Sequence, residues 1–363
     1  MRASTLLLFF LPLFFFCQKK EKNAEKRFSL LPAAQTGIQF QNDLPYSDSL
    51  NCYLFRNFYN GGGVGIGDLN NDGLPEVFFC GNLVGNRLYL NKGDFSFEDI
   101  TEISGVGTET CWTTGVSIAD VNGDGWLDLY LCKSGPPGGK RRANELFINN
   151  GKAGLQNGAP TFREEAAAWG LDFEGLSVHA AFFDYDRDGD LDCYLLNNSF
   201  RSVGGYDLRP GQRNLPDPEG GNRLLRNDGD RFSDQSAQAG IYRSAIGFGL
   251  GVTVGDYDRD GWQDLFVSND FFERDYLYRN KGDGTFEEVL EKAMPEISKG
   301  SMGADMADLD NDGFPEIFVT EMTPESERRY KTKSAFDDWN TYQNMIQTGY
   351  HRQFGRNVLQ HNS

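Results

Sequence analysis

An all-β fold built from repeated antiparallel sheets is predicted by three observations. An acidic nonapeptide, D-x-[DN]-x-D-G-x-x-[DE], occurs five times, starting at Asp68, Asp120, Asp184, Asp256 and Asp308. Each copy is flanked by strand-like residues, such as Gly-Val-Gly-Ile-Gly before Asp68 and Val-Phe-Phe-Cys after Glu76. The same order of short apolar segments then follows each copy, and recurrence of one supersecondary unit is the signature of a repeat architecture.

The nonapeptide reads as a strand-loop-strand calcium site. A hard divalent cation of this size takes six to eight oxygens at about 2.3–2.6 Å. Positions 1, 3 and 5 supply side-chain oxygens: Asp68, Asn70 and Asp72; Asp120, Asn122 and Asp124; Asp184, Asp186 and Asp188; Asp256, Asp258 and Asp260; Asp308, Asp310 and Asp312. Position 6 is always Gly, where the chain turns sharply. Position 7 offers its carbonyl (Leu74, Trp126, Asp190, Trp262, Phe314), and position 9 closes the shell with Glu76, Asp128, Asp192, Asp264 or Glu316. The helix-loop-helix calcium motif closes at position 12 instead. Asp, Asn and Gly also favour plain turns, but three or four carboxylates at positions 1, 3, 5 and 9 repel one another unless a cation joins them. Up to five Ca2+ are expected, bound more weakly by the first two loops, which have Asn at position 3.

A small-residue first strand leads into each loop and an apolar second strand leaves it: Val77–Cys80, Leu129–Cys132, Cys193–Leu196, Leu265–Val267 and Ile317–Val319. Third strands follow at Arg87–Leu90, Glu145–Ile148, Arg223–Arg226 and Tyr276–Arg279, and fourth strands at, for example, Phe97–Ile100 and Phe286–Val289. Four antiparallel strands per repeat make a propeller blade. The uneven spacing of the loop starts places insertions in the second and third repeats, and the segment from Arg356 to Ser363 aligns with a third strand and its turn.

These units resemble the FG-GAP/VCBS repeats of integrin-α-type β-propellers. The run from Phe58 to Glu76, with Asn86–Asp94 after it, is similar to the cartilage-acidic-protein-like (ASPIC/UnbV) family of Bacteroidota. The resemblance covers residues 28–363 and implies an extracellular, calcium-stabilised β-propeller. It also implies about seven blades when closed, so the five repeats here are expected to be the N-terminal part of a longer protein, with a C-terminal ASPIC/UnbV domain absent.

The N-terminus indicates export. An apolar stretch from Leu6 to Phe16 is of signal-peptide length and too short to span a bilayer. It ends at Cys17 and resembles a bacterial lipoprotein signal, which implies lipidation of Cys17 and a cell-surface or outer-membrane location. Phe14–Phe16 departs from the small residues usual there, and an ordinary secretory signal leading to a periplasmic or secreted protein is the alternative. Residues 1–17 are then the signal and residues 18–27 a tether. The cysteines after it, Cys52, Cys80, Cys111, Cys132 and Cys193, are odd in number and widely spaced, which argues against a disulfide framework. With a net charge of −18, the chain disfavours nucleic-acid partners.

Strand order places the connections after second strands on the face opposite the acidic loops. They are long and rich in cations and aromatics: Lys133–Ala143 with Lys140, Arg141 and Arg142; Asn197–Asn222 with Arg201, Tyr206, Arg209 and Arg213; and Glu321–Arg356 with Arg328, Arg329 and Trp339, the last read as partly helical. A binding surface for an extracellular protein or an acidic glycan is one reading; local packing of the aromatics is the other. Five residues before the loops stand Gly63, Gly115, Gly251 and Gly303, but His179 in the third repeat; with Asp305 it is a candidate polar site in the central channel, or a packed histidine. His351 and His361 offer no constellation. The chain has no nucleophile motif, zinc spacing or phosphate loop. A cell-surface binding or adhesion module is therefore expected, with a lyase or dehydratase acting on acidic polysaccharide as the alternative.

Overall fold

The structure is a computed structural model that describes residues 27–108, 112–135, 142–203, 208–333 and 338–363. Cys17, the signal and nearly all of the tether lie outside the described residues, as do Cys111, Lys140, Arg141 and Tyr206.

The fold is all-β, with five sheets that follow the repeats. A helical turn, α1 (Ala33–Thr36), precedes the first sheet: β1 (Val64–Gly67), β2 (Glu76–Phe79), β3 (Arg87–Asn91) and β4 (Phe97–Asp99). After the turn α2 (Thr101–Ser104) comes the second: β5 (Thr113–Ala119), β6 (Asp128–Lys133), β7 (Glu145–Asn149) and β8 (Phe162–Glu164). The turn α3 (Ala166–Trp169) leads to β9 (Ser177–Phe183), β10 (Asp192–Asn197), β11 (Arg223–Asn227) and β12 (Phe232–Asp234). The fourth sheet is β13 (Gly249–Gly255), β14 (Asp264–Asn269), β15 (Tyr276–Asn280) and β16 (Phe286–Glu288), followed by α4 (Leu290–Ala293) and the short β17 (Ile297–Ser298). The fifth holds β18 (Gly303–Ala307) and β19 (Glu316–Thr320), then, after α5 (Glu327–Lys333), α6 (Trp339–Gln347) and β20 (Gln353–Phe354), the third strand β21 (Val358–Gln360). Strands within each sheet are antiparallel neighbours in chain order, while β17 pairs in parallel with β20.

The sheets stack face to face, with first strands β1, β5, β9, β13 and β18 side by side in sequence. Apolar cores fill the gaps between neighbours: Phe78, Leu88, Leu129 and Phe147 between the first two sheets, Tyr130, Cys132, Leu195 and Leu225 in the next gap, and Tyr194, Leu265, Tyr276 and Phe286 in the third. This explains the near-continuous apolar second strands. In β6, β10 and β14 every residue is buried, because both faces lie against another sheet. The outer β2 and β19 keep exposed or half-buried positions.

First strands approach so closely that side chains are excluded at specific points. A Cβ at Gly63 would lie 2.9 Å from Gly115 Cα. At Gly115 it would strike the Val178 carbonyl and come within 3.2 Å of His179 Nδ1. His179 therefore fills the space beside Gly115. Asp305 stands exposed on β18, its carboxylate accepting from the Met306 N–H at 2.9 Å. Among the described residues no hydrogen bond or ion pair joins these two. Burial lowers the His179 pKa.

Among the described residues Cys52, Cys132 and Cys193 are free thiols, and Cys80, Cys132 and Cys193 are buried in the cores between sheets. No helix among the described residues is long and apolar enough to cross a membrane.

Candidate metal centres

Each acidic loop is wound by its own side chains. The position 1 carboxylate accepts the Gly N–H of position 6: Asp68 from Gly73 at 2.8 Å, Asp120 from Gly125 at 2.7 Å, Asp184 from Gly189 at 3.2 Å, Asp256 from Gly261 at 2.9 Å and Asp308 from Gly313 at 3.0 Å. Position 5 accepts from the N–H of position 7, as in Asp72 from Leu74 and Asp260 from Trp262, both at 2.8 Å. The five glycines have φ between 86° and 99°, which a Cβ would oppose. Position 4 is left-handed too, at Asn71, Gly123, Arg187, Arg259 and Asn311.

The position 9 carboxylate does more than close a shell. One oxygen accepts the position 2 N–H: Glu76 from Leu69, Asp128 from Val121, Asp192 from Tyr185, Asp264 from Tyr257 and Glu316 from Leu309. The other accepts an N–H at the end of the third strand, from Asn91, Asn149, Asn227, Asn280 or Asn362. These asparagines were not singled out from the sequence. Their side-chain amides donate to the position 8 carbonyl of their own loop and, from the second sheet on, to the position 2 carbonyl of the preceding loop. Asn149 thus bonds Leu127 and Leu69, Asn227 bonds Leu191 and Val121, Asn280 bonds Gln263 and Tyr185, and Asn362 bonds Pro315 and Tyr257. Burial raises the carboxyls of Glu76, Asp128, Asp192 and Asp264 to about 7.

Adjacent loops also clasp through position 4. The Arg187 guanidinium lies 4.3 Å from the Trp262 ring centroid, Arg259 lies 4.7 Å from Phe314, and the Asn71 amide donates to the Gly125 carbonyl at 3.2 Å.

The residues fit a hard cation. Carboxylate oxygens of Asp184, Asp186 and Asp192 converge within 4.8 Å, as do those of Asp256, Asp258 and Asp260, and of Asp308, Asp310 and Asp312. Buried oxygens of Asp184, Asp186, Asp190 and Asp256 have no hydrogen-bond donor. A buried carboxylate oxygen without a donor is costly unless a cation takes that place. Burial and its carboxylate neighbours raise Asp190 to about 6. The fifth loop gains a residue that sequence reading left without a role: His361 Nε2 lies 3.1 Å from Asp310 Oδ2, grouped with Glu316. Its distance along the chain hid it, since the third strand returns to the loop only in the folded sheet. His351 is elsewhere, with Nε2 3.0 Å from the Met294 carbonyl.

The far-face loops are partly built into the scaffold. Arg213 forms a buried ion pair with Glu273 and donates to the Gly349 carbonyl at 3.2 Å. Tyr350 donates to the Arg209 carbonyl at 3.0 Å and packs with Ile246, Phe248, Phe272 and Met345. Arg56, ahead of the first sheet, donates to the carbonyls of Arg201 and Ser199 and lies 5.1 Å from the rings of Phe248 and Phe271. Arg142 lies 5.0 Å from the Phe200 ring. Arg328, Arg329 and Trp339 remain exposed, with the Trp339 ring 6.0 Å from that of Tyr342 and tilted against it by 34°.

Comparison with known proteins agrees with this architecture. The FG-GAP-like repeat family matches residues 68–131 and 256–319. Cartilage acidic protein 1 of Xenopus tropicalis is 31% identical over 246 residues, 66% of this chain and 34% of that protein. Integrin alpha-7 of Rattus norvegicus is 36% identical over 88 residues, 21% of this chain and 8% of that one. The chain thus spans about a third of the cartilage acidic protein it matches. A solved Agrocybe aegerita lectin, specific for non-reducing terminal N-acetylglucosamine, aligns with a TM-score of 0.38 at 14% identity, over 72% of this chain and 61% of that one.

Proposed function

This is a chain of FG-GAP-like repeats with cartilage acidic protein 1 and integrin α among its relatives, and from that premise we propose that it is an exported, calcium-stabilised β-propeller serving as an extracellular binding module. The observation that carries the metal assignment is the set of donorless buried oxygens in loops three and four, convergent with neighbouring carboxylates. Side chains at positions 1, 3, 5 and 9 and the carbonyl of position 7 would hold each ion. Calcium supplies positive charge that offsets carboxylate repulsion and fixes the loop. Position 9 and its third-strand asparagine then carry that order into the neighbouring sheet.

Calcium loops lie at one end of the sheets, so the opposite end is left for recognition. There, Arg328, Arg329 and Trp339 are exposed on a scaffold fixed by the Arg213–Glu273 pair and the Tyr350 cluster. Cations and an exposed aromatic on an otherwise acidic molecule suit an acidic glycan or an acidic protein surface. Lipidation at Cys17 would hold the module at the membrane through its N-terminus. The test is a metal count with thermal unfolding in calcium and in chelator. Several ions per chain and a calcium-dependent midpoint are expected; a folded chain with neither defeats the assignment. Metabolic lipid labelling that disappears in Cys17→Ser checks the anchor.

A further inference from the structure

Before it enters β1, the chain between residues 38 and 60 forms a strap over the ends of the sheets opposite the acidic loops, and its two feet differ in kind. One foot is apolar and stands on the first and second repeats. Phe55 and Phe58 are buried against Trp112, with ring centroids 5.0 Å and 5.8 Å from it, and Leu83 packs beside them. Asn42 and Asn82 add two hydrogen bonds there: the Asn42 amide donates to Asn82 Oδ1 at 2.7 Å, and Asn42 Oδ1 accepts the Asn82 N–H at 3.0 Å.

The other foot is a single side chain. Among the described residues, every hydrogen bond from the strap to the third and fourth repeats comes from Arg56. Nη1 donates to the Arg201 carbonyl at 2.8 Å, while Nη2 donates to Asn198 Oδ1 at 3.2 Å and to the Ser199 carbonyl. Phe248 and Phe271 each hold a ring centroid 5.1 Å from the guanidinium carbon and meet each other edge-on. The Asp270 carboxylate supplies the opposite charge and accepts the Phe271 N–H at 2.7 Å. Phe271 has φ 62°, which a bulky side chain adopts only at a cost; backbone of this kind persists where its surroundings hold it and clusters at functional positions.

Such a set suits a guanidinium better than a compact ammonium. Oxygens meet several N–H groups of a planar fork and rings meet its delocalised charge, whereas an ammonium is a strongly hydrated point charge. The contacts also reach further than the pocket. Asn198 Oδ1 accepts the Ser199 N–H at 2.9 Å as well as Arg56, which leaves its Nδ2 to donate to the carbonyl of Gly249, the first residue of β13, at 3.1 Å. Ser199 Oγ accepts the Arg201 N–H at 3.0 Å and donates to the Ala245 carbonyl at 2.7 Å. One guanidinium is therefore bonded both to the root of the long third-repeat insertion and to the residue that joins the third sheet to the fourth.

We propose that the third and fourth repeats carry a guanidinium-binding site and that Arg56 occupies it as the chain's own ligand, latching the strap onto the root of the insertion. Occupation holds Asn198 to Arg201 in one conformation. Withdrawal of Arg56 frees the strap tip and that root together, while the apolar foot and the sheets remain. This rests neither on the metal assignment nor on the identity of any ligand.

The experiment is hydrogen exchange of the full chain and of Arg56→Ala, with methylguanidinium or methylammonium added at the same millimolar concentration. Charged hydrogen bonds contribute about 1.5–3 kcal/mol each, and 1.4 kcal/mol is tenfold in an equilibrium. Exchange at the Ser199 and Arg201 amides should accordingly rise by about tenfold or more in the variant, with β14 unchanged. Methylguanidinium should restore protection and methylammonium should not. Unchanged exchange in Arg56→Ala overturns the latch, and failure of methylguanidinium to restore protection, or equal restoration by methylammonium, overturns the guanidinium site. Arg56→Lys keeps the charge and most of the stem should the alanine variant not fold. Raised exchange at Ser199 and Arg201 is expected there too, and exchange equal to that of the unsubstituted chain shows that a plain positive charge suffices and overturns the site.

Discussion

The asparagine at the end of each third strand is the residue on which neighbouring repeats depend. Asn280 is fully buried and donates to carbonyls of two different loops, while Asn91 has only the Pro75 carbonyl of its own. A net hydrogen bond contributes about 1 kcal/mol, and a buried group left unsatisfied costs about 1–3. Asn280→Ala is therefore expected to cost about 2 kcal/mol or more and Asn91→Ala about 1, measured by urea unfolding in calcium. Asp275 supplies a pH effect away from the loops. It stands where other sheets have Asn86, Asn144 and Asn222, accepting from the Asn269 N–H at 2.8 Å and from Ser301 Oγ at 2.8 Å. Burial raises its carboxyl to about 7, so the fold favours the protonated form. Its contribution is complete below the ordinary carboxylate pKa and is lost as pH rises from about 4 through 7. Asp275→Asn keeps an acceptor for Asn269 without the charge. Stability scans against pH should show a smaller decline over that interval in the variant.

At the scale of the element, the acidic loop is both a candidate metal site and a link to its neighbour. Removing Trp262 deletes the ring facing Arg187, and a partly exposed cation–π pair contributes about 0.5–1 kcal/mol. Trp262→Ala is expected to lower stability by about that much and leave the metal count unchanged. Asp260→Ala instead removes a position 5 ligand and is expected to reduce the count by one ion. Much of this element was readable from residue spacing, because ligand positions and the Gly turn are local. The third-strand asparagine also recurs in the sequence, as N-x-L at Asn86, Asn144, Asn222 and Asn357 and as the closing Asn five residues later. Its role was not readable, since its partners lie in the preceding repeat.

For the whole molecule, several ions bound only by the native state raise stability by mass action, about 2.7 kcal/mol for each site at a hundredfold excess over Kd. Millimolar calcium should raise the unfolding midpoint substantially, and chelator should reverse it. With a net charge of −18, the metal-free chain also repels itself, so added salt should recover part of the loss. On the opposite end, Arg328→Glu with Arg329→Glu is expected to weaken retention on an acidic polysaccharide column, with the midpoint unmoved because both side chains are exposed.

The sequence by itself determined the repeat, the strands and the candidate ligands, since each is encoded within a few residues: alternation, a Gly at a sharp turn, carboxylates at fixed spacing. Second strands were legible as continuous apolar runs because sheets cover both their faces. Only the tertiary structure decided which cations are free. Arg213 and Arg329 look alike in the chain, yet one is buried against Glu273 and the other is exposed. It likewise brought His361 to the fifth loop and set His179 apart from Asp305. Such pairings join residues far apart in the chain, and the charge or size of a side chain does not specify which distant surface will meet it.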